Sequence, residues 1–143
     1  PDFVEIVSLH PLFFFFFGRN GISGMNITLC DIRSSRAACI RKFLCETLNL
    51  NVLEKTPDEH DREMAYVQGL THLVAKVFTF MDIPNIEQKT KTYALLDDMV
   101  EMIRYDSEEL FLAIQLENPY VESTKHSFFD AVKQLEEKLG RLA

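Results

Sequence analysis

One stretch, TPDEHDREMAYVQGLTHLVAKVFTFMDIP (Thr56 to Pro84), constrains the fold more than any other. Thr56 can cap a helix with its hydroxyl, Pro57 suits the first helical position, and Glu59 can reach back to the cap N–H. Beyond them Val67, Leu70, Val74, Val77, Phe78 and Met81 recur at helical spacing, which predicts their use as the apolar stripe. The helix is expected to stop near Met81, ahead of Pro84. So definite a helix start divides the chain at Thr56, and the two sides differ in character.

The front reads as strands around one helix. FVEIVSL (Phe3–Leu9), MNITLCDI (Met25–Ile32) and LNVLEK (Leu50–Lys55) have strand composition, and GRNGISG (Gly18–Gly24) is a loop by its glycines and asparagine. SSRAACIRKFLCETLN (Ser34–Asn49) places Ala38, Ile40, Phe43, Leu44 and Leu48 at helical spacing. This β-loop-β-α-β order belongs at the end of an α/β sheet. Five consecutive phenylalanines, Phe13 to Phe17, interrupt it where the chain should turn.

The back is helical. A third helix is expected over roughly Glu87 to Tyr105. Ser107 can cap a fourth ending near Glu117–Pro119, and a fifth runs from Val121 to Leu142. The expected division is 1–56, an α/β remnant, and 57–143, an all-α domain. Leu95, Leu96, Met99, Val100, Met102 and Ile103 leave the third helix little polar face. Five helices and a partial sheet are a small body to bury it, so a homodimer is the expected outlet.

Charge and composition exclude some classes. The net charge of −7, without a basic cluster, argues against nucleic acid. No apolar run reaches the ~18 residues of a membrane span. Cys30, Cys39 and Cys45 lack CxxC spacing, which favours reduced thiols in a cytoplasmic protein over disulfides or zinc.

His60 and His72 stand 12 residues apart on the long helix. That is roughly 18 Å along the axis and about 120° around it, too far for a metal pair. Asp61, Ala65, Gln68, His72 and Lys76 follow at steps of 4, 3, 4 and 4 on a second face. This face is either solvated or the wall of a polar pocket. Gly69 costs about 1 kcal/mol against Ala in a helix and calls for a packing or binding reason. His10 stands at a strand end before Pro11, and such ends often face a ligand crevice.

Taken in order, SLHPLF, ITLCDIRSS and TPDEHDREMAYVQGLTHLVAKVF resemble the prephenate/arogenate dehydrogenase family of tyrosine biosynthesis. LFLAIQLENP (Leu110–Pro119) fits its later helical segment. The resemblance implies the end of a Rossmann-type nucleotide-binding domain followed by a helical substrate-binding and dimerisation domain. It implies NAD(P)-dependent oxidative decarboxylation of prephenate or arogenate, with hydride passing to a nicotinamide and carbon dioxide leaving the opposite ring carbon. The family's catalytic histidine, which accepts the hydroxyl proton, matches His10. His60, Gln68 and His72 match its helix motif and are implied to line or support the pocket for substrate and for tyrosine as effector. The family's substrate arginine aligns with Met102, and Arg104 lies nearby, about 200° around the helix. The GxGxxG turn that cradles NAD or NADP is absent from these residues, so the chain alone is expected to be inactive. The other reading is a non-catalytic module for dimerisation and effector binding.

Overall fold

A computed structural model describes residues 4–13 and 21–142. Phe14–Phe17, the larger part of the phenylalanine run, lie outside the described residues. The chain divides into two compact units, Pro1–His60 and Asp61–Ala143.

In the first unit, β1 (Ile6–Pro11) pairs antiparallel with β2 (Asn26–Arg33), and β3 (Asn51–Glu54) pairs parallel with β2. A parallel pair needs a crossover. Here it is α1 (Ala37–Lys42), which runs on as a π-helical turn over Phe43–Thr47. β2 is the middle strand, and Ile27, Thr28, Leu29 and Cys30 are buried in succession. A strand covered on both faces shows such an unbroken run instead of alternation. Ile27, Leu29, Leu44 and Leu50 form the core, and Phe13 packs against its margin. Gly24, at φ +78°, gives its N–H to the carbonyl of Asn49 and turns the chain into β2.

β1 lies later than the expected Phe3–Leu9, so His10 and Pro11 fall within it. Proline withholds a ladder donor and is tolerated on such an outer strand. His10 stands opposite Thr28.

The second unit is helical. The long helix is a continuous run of α2 (Pro57–Met64), a π-helical stretch (Ala65–Leu70) and α3 (Thr71–Phe80). Its capping box forms as the sequence predicts. The Glu59 N–H donates to Thr56 Oγ1 at 3.2 Å, and the Thr56 N–H donates to Glu59 Oε2 at 2.9 Å. α4 (Lys91–Ile103) begins later than expected, because the Thr90 hydroxyl accepts from the Tyr93 N–H and caps it there. Ser107 caps α5 (Glu108–Glu117), and α6 spans Val121–Gly140.

The long helix does not bury the stripe that its large apolar residues mark. Val67, Val77 and Met81 are exposed, while Met64, Ala65, Gly69, His72 and Ala75 are buried. The π-helical stretch adds a residue to the turn and rotates the phase beyond it. The small residues then let a neighbour approach. A Cβ built on Gly69 would lie 2.8 Å from Val121 Cγ2, so the glycine is needed where α6 begins. The Gly69 carbonyl accepts a 2.8 Å hydrogen bond from the buried Gln115 amide of α5. α4 buries none of its residues fully, and Leu95 and Met102 stay exposed. No helix among the described residues is long and apolar enough to cross a membrane.

Candidate functional site: a histidine pair

In the first unit, one strand residue and one helix residue, 50 positions apart, bring two imidazoles together. His10 comes from β1. His60 is set by the capping box, which fixes where α2 starts and thereby where its fourth residue points; the His60 N–H donates to the Thr56 carbonyl at 2.9 Å. His10 Nδ1 lies 2.8 Å from His60 Nε2, with the rings edge to face at 5.1 Å between centroids. Both residues are half-buried.

A bond between two imidazole nitrogens takes one proton, so one ring donates and the other accepts. If His60 donates from Nε2, the neutral His10 carries its own proton on Nε2. If His10 donates from Nδ1, its Nε2 holds a lone pair and can act as a base. Burial, and after it the nearby His60, hold the His10 imidazole below its ordinary value of 6.5. Near pH 7 His10 is therefore neutral, the form a general base requires.

The other expected site residues lie in the second unit. Gln68 is half-buried in the π-helical stretch, and its carbonyl accepts from His72 Nδ1 at 2.9 Å. His72 is buried, with its Nε2 3.2 Å from Asp106 Oδ2. Arg104 caps the C-terminus of α4, is exposed, and pairs with Glu101 at 2.5 Å. It also borders a cavity of about 420 Å³, floored by Phe78, Leu96 and Val100 and edged by the Lys89–Asp97 ion pair. Sequence reasoning missed Asp106 and Gln115. Asp106 directly precedes the helix cap Ser107, a place where acids are common for local reasons. Nothing in the sequence marks Gln115. Among the described residues no group of three or more His, Cys, Asp or Glu could hold a metal ion.

The architecture defines a class: the closing strands of an α/β sheet followed by an all-helical domain. The family described as prephenate dehydrogenase, dimerization domain, matches residues 56–141, and the chain belongs to this family. It is 30% identical over 125 residues, 83% of its length, to arogenate dehydrogenase 2, chloroplastic, of Arabidopsis thaliana, and covers 35% of that protein. Two solved structures share the fold. Synechocystis arogenate dehydrogenase matches with a TM-score of 0.64 and 14% identity, over 97% of this chain and 55% of that one. Prephenate dehydrogenase from Aquifex aeolicus, in complex with hydroxyphenyl propionate and NAD+, matches with a TM-score of 0.66 and 19% identity, over 94% and 51%. The chain thus spans about a third of the Arabidopsis relative and about half of each structure.

Proposed function

We propose that this chain is the substrate-binding and dimerisation portion of a prephenate or arogenate dehydrogenase, with residues 1–56 closing a nucleotide-binding sheet and 57–143 forming the helical domain. The observation that carries the reading is the His10–His60 pair, a neutral imidazole held by a second one, in a chain of this family. These residues do not fit a dinucleotide by themselves, because none of the 143 belongs to a GxGxxG turn. NAD or NADP would be held by residues outside them, and the chain alone would not oxidise prephenate.

The step assigned to this chain is proton transfer. Oxidising an alcohol to a carbonyl requires the hydroxyl proton to leave, and His10 Nε2 takes it. That assignment fixes the pair: His10 Nδ1–H donates to His60 Nε2, and His60 carries its own proton on Nδ1. His60 is then a positioning residue that selects the His10 tautomer. When His10 gains the proton, its Nδ1–H becomes a cationic donor and the bond to His60 strengthens. Gln68, His72 and Arg104 line or support the pocket for substrate and for tyrosine as effector.

The exposed apolar residues of α6, among them Phe129, Val132, Leu135 and Leu139, support a homodimer of the helical domains. The three cysteines form no disulfide, which suits a reducing compartment, and we place the protein in the cytoplasm.

The test is kcat against pH for the full-length protein and its His10→Asn variant. A general base is worth roughly 10²–10⁴-fold, so the variant should lose that factor in kcat with little change in KM. The wild-type rate should fall on the acid side, with a midpoint below 6.5 because His10 is held below that value. The variant should lack this limb. A variant with near wild-type kcat removes His10 from the chemistry.

A further inference from the structure

We propose that Gln115 and Asn118, at the end of α5, are positioning residues that clamp the π-helical stretch Ala65–Leu70 and thereby set where Gln68 stands. The clamp follows from contacts inside the helical unit alone. The use made of Gln68 rests on the pocket role proposed for it above.

An α-helix closes each turn with a bond from one N–H to the carbonyl four residues back. A π-helical turn reaches five back and takes up one extra residue. One residue is about 100° of helix rotation, so along Ala65–Leu70 the side chains stand progressively further from their α-helical places. Gln68, the fourth of these six residues, owes its direction to that widening. Such turns are rare, and they occur mostly as single turns inside α-helices, often at functional sites. Contacts from outside the helix are needed to hold one in place.

Two carboxamides from one end of α5 supply them. Gln115, in the last turn of α5, donates from Nε2 to the Gly69 carbonyl inside the stretch at 2.8 Å. Asn118, the C-cap of α5, donates from Nδ2 to the Asp61 carbonyl at 2.7 Å, about one turn before the stretch begins. The end of α5 therefore grips the long helix on both sides of Gln68. Neither amide can be turned round, because a carbonyl only accepts and must meet the NH2 side. The Asn118 oxygen in turn accepts from the Tyr120 N–H at 2.9 Å, which joins the clamp to the start of α6. The Arg62 guanidinium, 5.1 Å over the Tyr120 ring, ties the next residue of α2 to the same turn. For Gln115 the orientation leaves Oε1 buried with no partner among the described residues. A buried acceptor left unpaired is costly, and an apolar side chain would avoid it. What Gln115 contributes at this position is its donor, and the donor is spent on the π-helical stretch.

The experiment uses the full-length protein and two variants. Asn118→Asp keeps the acceptor for the Tyr120 N–H but turns an acceptor toward the Asp61 carbonyl. Gln115→Met keeps the length of the side chain and removes the donor without burying a charge, so it carries the test if the aspartate variant fails to fold. In either, the amides of residues 65–70 should exchange about tenfold faster, the scale of one hydrogen bond, while those of 74–80 in α3 are unchanged. Unchanged exchange over 65–70, or an equal rise over 74–80, overturns the clamp. The role of Gln68 is read from KM for the dehydrogenase substrate. Each variant should raise KM about tenfold with kcat within about threefold. In a Gln68→Ala background the same change should raise KM by less than about twofold, because the contact it positions is gone. An equal rise in both backgrounds overturns the positioning role. Gln68→Ala with wild-type KM, beside faster exchange over 65–70 in the clamp variants, ends the pocket reading of Gln68 and leaves the clamp in place.

Discussion

Replacing Gly69 by alanine probes the packing on which the helical unit depends. The new Cβ would stand 2.8 Å from Val121 Cγ2, 3.4 Å from Cγ1 and 3.6 Å from Cβ. Val121 is 1% exposed, and a β-branched side chain at the start of a helix has little rotameric freedom, so it cannot swing aside. Relief must come from moving α6. Overpacking of this kind costs about 1–3 kcal/mol, and alanine returns up to about 1 kcal/mol in helix propensity. The expected net loss is about 1 kcal/mol. Val121→Ala should cost about 2 kcal/mol, from two lost methyl groups and the cavity they leave. In the double variant the Gly69→Ala methyl enters that cavity. The combined loss should therefore fall short of the sum by about 1–2 kcal/mol. Urea unfolding of all four proteins, with unchanged slopes, measures this coupling. Costs that add to within about 0.5 kcal/mol, or a Gly69→Ala protein that gains stability, would refute the claim that the glycine exists to admit α6.

Three further outcomes are expected. Thr56→Ala should cost about 1 kcal/mol in unfolding free energy by removing the helix cap. The Thr56 N–H, and after it the Thr56 hydroxyl, hold the Glu59 carboxyl below its ordinary 4.5, so the stability these contacts supply is present above 4.5 and lost as pH falls below it; alanine keeps the N–H and removes the hydroxyl, so a thermal melt against pH should show that dependence weaken but not vanish in the variant. Gln115→Leu should cost about 1–3 kcal/mol by chemical denaturation, because the Gly69 carbonyl is left buried without its donor. Leu135→Glu places a charge on the exposed apolar face of α6 and should convert a dimer to a monomer in sedimentation, whereas a wild type that is already monomeric would end the dimer reading.

What could be read from the sequence was what local chemistry decides. The capping box at Thr56 and the Ser107 cap of α5 appear as expected, because both involve residues within three positions of each other. The phase of the long helix could not be read. The spacing of its apolar residues predicts a stripe at the regular α-helical period, and the π-helical stretch at Ala65–Leu70 breaks that period. The side chains that hydrogen-bond to the carbonyls of this stretch come from far along the chain in one case, Gln115 to Gly69, and from the next turn in the other, His72 to Gln68. Gly69 gave the right hint. A glycine inside a helix asked for a close neighbour, and the neighbour is Val121.

The histidines show why residue type alone does not assign chemistry. The resemblance names His10 as the catalytic base and His60 and His72 as residues that line or support the pocket. Their partners separate them. His10 meets another imidazole, which can donate or accept, so the pair works with both rings neutral and one proton between them. Burial further disfavours a charge on His10. His72 lies instead between two oxygens, the Gln68 carbonyl at 2.9 Å and an Asp106 carboxylate oxygen at 3.2 Å. One environment suits a base awaiting a proton, and the other joins the long helix to the turn after α4. The difference lies in which atoms the fold brings within 3.2 Å, and no spacing along the chain contains it.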